Sequence, residues 1–267
     1  MATQAAVATP ERTFILDWAD DAYVVGHQLA SVTGHYGPDL EENLALGSMA
    51  QDHLGHARAL YRWLAPTDEQ VDRLVFLREP SEYRTSLLAG AWEPGNWAFV
   101  AVKGLLYADA ELLRAEAVWQ GGRGTPREFA EVVLRDDAVH RDHWRQWLGL
   151  LGRSADGTAR VADALRHLWP LAGEFFHGSA WREAPAAIGG PTPTADELRR
   201  RWAERAGSDL RTLGLDSPSD ADGLALEADR LAERGLCGRL GRHSPELVRM
   251  LDEAHAIFKS DPSVRWG

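Results

Sequence analysis

The chain has 267 residues, 45% of them hydrophobic, with 29 basic against 40 acidic side chains and a formal net charge of −11. That composition can bury a sizeable core, which excludes disorder, and the negative surplus, with Lys103 and Lys259 as the only lysines, excludes a basic nucleic-acid-binding face. Cys237 has no second cysteine to pair with, residues 1–10 lack a basic-then-apolar leader pattern, and the best apolar run, Trp97 to Val102, falls far short of the roughly 18 residues a membrane helix needs, so the chain reads as cytoplasmic, without disulfide or membrane span.

Helical periodicity runs through almost the whole chain, and no alternating strand pattern interrupts it. A first helix is predicted over residues 11–33, with Phe14, Trp18, Asp21, Val25 and Leu29 at helical spacing and Gly34 as its stop. Asp39 serves as N-cap for a second helix over 40–64, whose stripe is Leu44, Met49, Leu54, Ala57 and Tyr61. Residues 66–95 are poorly patterned, with a short helix near 81–89. A third long helix covers 96–120 and ends at Gly121-Gly122. Thr125-Pro126-Arg127-Glu128 has the form of a capping box with proline at the first helical position, and it opens a fourth helix reaching Leu151. Further helices are expected over 159–176, 194–213, 223–234 and 245–259, with a linker-like stretch at 184–193. Two long helices, a long crossover and two more long helices are the connectivity of a ferritin-like four-helix bundle. The expected fold is therefore all-α and a single domain over 1–267, with the core bundle at about 11–151 and a helical C-terminal extension at about 159–267.

Bundles of this kind build metal sites from carboxylates and Glu-x-x-His motifs, because residues three or four apart share a helix face. The second helix carries Asp52, His53 and His56, and the fourth carries Asp136, Asp137 and His140. In the third, Asp109 and Glu111 interrupt an apolar run. The candidate ligands are thus His53, His56, Asp109, Glu111, Asp137 and His140. The first helix offers only His27, Gln28 and Ser31 near its end, with Asp17, Asp20 and Asp21 one or more turns earlier, so a complete di-iron set is not supported. In the simplest reading, Asp52, Asp137 and the histidines are hydrogen-bonded bundle polars. Other site classes fare worse. Gly121–Gly124 follows a helix and matches no phosphate loop, Cys237 has no defined base, and Arg199–Arg201 suits a solvated or ion-pairing face. Eleven tryptophans and ten histidines remain to be placed as core, interface or site.

Gly34 to Glu42, Leu44-Ala45-Leu46, Gln51 to Arg58 and Tyr61 resemble the second ferritin-like subunit of the multicomponent phenylacetyl-CoA epoxidases. The likeness continues through Asp109-Ala110, His140 to Gly152, Leu168-Trp169-Pro170, Gly241 to Leu247 and Trp266. It covers most of the chain and is weakest over 66–94 and near Gly190. The resemblance implies a complex in which a catalytic bundle subunit holds a di-iron centre that activates O₂ for insertion into an aryl-CoA ring, a flavin and iron–sulfur reductase supplies electrons, and the second subunit is structural. Against the catalytic type, His53 stands where a ligand Glu would be and His56 matches a ligand His, while Asp137 and His140 stand at the second Glu-x-x-His. The departures place this chain nearer the structural type, with no cofactor expected in it. The alternative is a divergent ferritin-like oxygenase or oxidase binding iron or manganese through a nonstandard His/Asp set. A third reading is a stand-alone helical interaction or stress protein.

Overall fold

The computed structural model describes residues 9–176, 188, 190 and 192–261, so Trp266 and much of the linker-like stretch lie outside the described residues. Helix α1 (Pro10–Val32) starts at an N-cap threonine, Thr9, with proline in its first turn. Helix α2 (Leu40–Leu64) starts at Asp39, whose carboxylate accepts from the Glu42 amide at 2.7 Å. Helices α5 (Trp97–Gly121) and α6 (Thr125–Leu151) complete the bundle.

Cross-links between helices fix their directions. Arg12 at the start of α1 reaches the Leu64 carbonyl at the end of α2, and Arg127 near the start of α6 reaches the Trp119 carbonyl near the end of α5. Asp21 meets Arg114 while Gln28 meets Lys103, so α1 and α5 also run in opposite directions. The order is up, down, down, up, as in ferritin-like bundles, and the long connection 65–96 exists because α2 and α5 run the same way. α5 is buried on nearly every side, as its apolar sequence requires.

That connection holds α3 (Asp68–Phe76), a 3₁₀ turn at Pro80–Glu82 and the single-turn α4 (Leu87–Gly90). The continuous short helix expected near 81–89 is not formed. Asp20 accepts from the Arg84 amide at 2.8 Å and Asp21 from the Ser86 amide at 2.7 Å, which holds the segment between the two turns extended. The fourth helix also starts differently from expectation. Thr125 is already helical, its cap is Gly124 at φ 58°, and no side chain caps the end. The left-handed conformation that glycine tolerates makes this turn instead of a capping box.

Helices α7 (Ala155–Phe175), α8 (Ala195–Thr212), α9 (Ala221–Glu233) and α10 (Pro245–Ser260) form the C-terminal extension. The Trp202 indole donates to the Leu106 carbonyl at 3.0 Å, and Arg239 reaches Asp21 at 2.8 Å, so the extension is tied into the bundle. Most of the buried apolar side chains form one cluster from Phe14 to Leu251. Trp18, Trp144, Trp169 and Trp202 belong to it, and Trp119 is the exposed one among the described tryptophans, so few of these rings are free for a partner face. Arg199 is buried whereas Arg200 and Arg201 are exposed, which fits helical neighbours that point in different directions. Among the described residues no helix is long and apolar enough to cross a membrane.

Candidate functional site

The buried stripe of α2 includes Met49, Ala50, His53, His56, Ala57 and Leu60, and that of α6 includes Val133, Asp137, His140, Trp144 and Leu148. Both follow the three- and four-residue spacing of one helix face. The two stripes face each other, and they bring His53, Asp137 and His140 together with one donor atom from each, all within 4.8 Å of one another. All three residues are buried.

His140 is held from both sides. Its Nδ1 lies 3.0 Å from Asp137 Oδ1 and its Nε2 3.0 Å from Asp52 Oδ2. His56 pairs with Asp136 at 3.1 Å, and Glu42 holds His143 at 3.0 Å and Trp147 at 2.7 Å. Carboxylate–imidazole pairs therefore bridge the α2–α6 seam along its length. The His53 ring packs against Tyr107 and His140.

The environment separates these groups in charge. Burial pushes His53 down to about 3, so its imidazole is neutral. Burial alone would lower His140, but its bonds to Asp137 and Asp52 outweigh that and raise it. Burial would raise Asp137; the His140 hydrogen bond and the surrounding imidazoles instead hold it below the usual carboxylate range. Its Oδ2 is buried with no hydrogen-bond partner, and so is the Tyr107 hydroxyl.

The other predicted candidates lie elsewhere. His56 is beside the cluster, bonded to Asp136 at the rim. Asp109 accepts from Arg141 at 2.6 Å and faces α8, where Arg141 also meets Asp209; burial raises Asp109 to about 6 in spite of that arginine. Glu111 turns toward α1 and accepts from the Trp18 indole and from Arg114. On α1, Asp20 is taken by Arg78 and Tyr61, and Asp21 by Arg114 and Arg239. Gln28 accepts from Lys103, which also donates to the Ala89 carbonyl at 2.8 Å. Lys103 and Tyr107 border the cluster and were not among the predicted site residues. A signal was present: one of two lysines sits inside an apolar helix, one turn before a tyrosine.

A two-iron cage needs several anionic carboxylates around a common centre. The described residues bring one, Asp137, to two imidazoles. A donor set of two imidazoles and one carboxylate, with a carboxylate oxygen left unpartnered, suits one divalent ion and does not suit two.

A sequence model described as "Phenylacetic acid catabolic protein" matches residues 2–266. Among curated proteins, one of the subunits that make up the 1,2-phenylacetyl-CoA epoxidase of Escherichia coli (strain K12) is 23% identical over 260 residues, covering 95% of this chain and 98% of that protein.

Proposed function

The chain belongs to the phenylacetic acid catabolic protein family, and on that premise we propose that it is the non-catalytic, ferritin-like subunit of a phenylacetyl-CoA epoxidase-type oxygenase acting in the cytoplasm. One observation carries the reading: the bundle's central carboxylates on α1 and α5 are engaged by arginines, so that among the described residues Asp137 is the one buried carboxylate grouped with His53 and His140. The chemistry of ring epoxidation is supplied by the di-iron centre of a catalytic partner subunit, with electrons from a flavin and iron–sulfur reductase. This chain's own residues then act by rigidity. The Asp21–Arg114–Arg239 set and the α2–α6 ladder hold the helix faces against which a second bundle packs. The likeness to an epoxidase subunit over nearly its whole length supports the same assignment.

Co-expression with a catalytic bundle subunit of this family tests it. The expected result is a stable complex on size exclusion, with aryl-CoA epoxidation by the complex plus reductase and none by this chain plus reductase. Epoxidation by this chain alone would favour the divergent-oxygenase reading, and failure to associate would favour a stand-alone protein.

A further inference from the structure

Two sides of the four-helix bundle are covered by the chain itself. Residues 17–26 of α1 are buried beneath the crossover and the extension, and α5 is buried on nearly every side. The outer faces of α2 and α6 have no such cover among the described residues. Large apolar side chains left in solvent concentrate there: Leu40 and Leu44 on α2, Val132 and Val139 on α6, and Ile257 of α10 beside them. Leu40, Leu44, Ser48, Gln51, Gly55 and Arg58 are exposed at three- and four-residue spacing, which makes them one ridge along α2. A groove of about 820 Å³ runs on one side of the ridge, between α2, α3 and the end of α10, and a groove of about 230 Å³ on the other, between α2 and α6. We propose that this ridge and its two grooves are the surface on which a different helical chain docks, seating a pair of helices with apolar inner faces and basic rims. On the subunit role proposed above, on which this assignment rests, that chain is the catalytic bundle.

Gly55 points outward from this chain. It sits in the interior of α2, where glycine weakens a helix, and a Cβ there would meet nothing within 4 Å. Gly104 is the contrast, since its Cβ would strike the Trp144 ring. The chain's own packing gives no reason for a missing side chain at position 55, whereas close approach of a helix from outside does. Size agrees with a stable complex. α2 is about 37 Å long, and a face that takes in the ridge and both grooves is two interhelical spacings wide. It covers on the order of 700–800 Å², the area one partner contributes to a standard interface. Charge then selects the occupant. Asp52 and Asp136 line one groove and Asp68 and Asp72 the other, against the single guanidinium of Arg58. A second copy of this chain, itself at net charge −11, would set acidic grooves against each other, whereas lysines and arginines on the rims of a different bundle pair with them. Such rim pairs steer association and make it depend on salt, while Leu44, Val139 and Ile257 supply the apolar contact.

The test uses the full-length chain assembled with a catalytic bundle subunit of the family. Gly55→Arg, and a Leu44→Arg, Val139→Arg double variant, should bind that subunit roughly 10-fold or more weakly than wild type in a titration. Asp72→Lys should weaken binding more at low salt than at high salt. Gly55→Arg should also keep or raise the thermal midpoint of the free chain, since it replaces a helical glycine and enters open space. Leu226→Arg, the same change at an exposed leucine of α9, should leave affinity unchanged. Hydroxyl-radical footprinting of the wild-type complex, which needs no variant, should protect Leu44, Val139 and Ile257. Wild-type affinity in both ridge variants, an equal loss in Leu226→Arg, or no protection at those three side chains overturns the docking surface and leaves the subunit role standing. Failure of the wild-type chain to bind the catalytic subunit overturns the subunit role and this surface with it.

Discussion

Asp21 illustrates a charge that is costlier to remove than to keep. It is fully buried, accepts from Arg114 at 2.9 Å and Arg239 at 2.8 Å, and takes the Ser86 amide as well. Asp21→Asn leaves two buried guanidinium groups short of an anion, and a loss of about 3–5 kcal/mol in urea unfolding is expected. The exposed pair Asp156–Arg160 is the control, because Asp156→Asn should cost less than about 1 kcal/mol. Equal losses would refute the distinction. Glu174 gives a pH signature. Burial raises it from 4.5 to about 7 although Arg239 opposes the shift. Between those values the unfolded chain is ionised there while the folded chain keeps its proton, so this group's contribution to stability falls as pH rises from about 4.5 through 7. The stability difference between wild type and Glu174→Gln should shift toward the variant over that interval, by on the order of 2–3 kcal/mol. A difference independent of pH would contradict the assignment. At this scale the sequence exposed His53, Asp137 and His140 through their helical spacing. It could not expose the role of Asp17, Asp20 and Asp21, because their partners Arg78, Arg84, Arg114 and Arg239 lie on distant elements that only the folded topology brings near.

Helices were legible wherever an apolar stripe was long. α2 is bounded as its pattern predicts, and α1, α5 and α6 end within a residue or so of the expected limits. The crossover was not, since its extended link is made by α1 carboxylates capturing backbone amides rather than by local preference. α3 was missed even though Thr67 and Gln70 form a reciprocal capping box, a short motif without a long stripe behind it. The α5–α6 contact depends on a small residue that periodicity does not flag. A Cβ on Gly104 would lie 2.3 Å from the Trp144 ring, so the two helices approach as closely as they do only because that position is glycine. Gly104→Ala should lower stability by about 1–3 kcal/mol in denaturant unfolding through this overpacking. An unchanged midpoint would show that the Trp144 ring relaxes freely.

The whole-molecule topology followed from connection lengths alone: a seven-residue turn, a long crossover and a three-residue turn admit the up-down-down-up bundle that the cross-links between helices confirm. The ligand set was less legible, because helical spacing places side chains on a face without saying what they meet. Asp109 and Glu111 share the third helix with the cluster's neighbours and are nevertheless directed to Arg141 and Arg114. In the role proposed above, this bundle supports oxygenation without performing it. The most direct test is steady-state aryl-CoA epoxidation by this chain co-assembled with a catalytic bundle subunit of the family and reductase, comparing wild type with a His53→Gln, Asp137→Asn, His140→Gln triple variant whose assembly has been verified by size exclusion. The account predicts turnover within a few-fold of wild type. A fully assembled complex that has lost turnover would place the chemistry in this chain and contradict it.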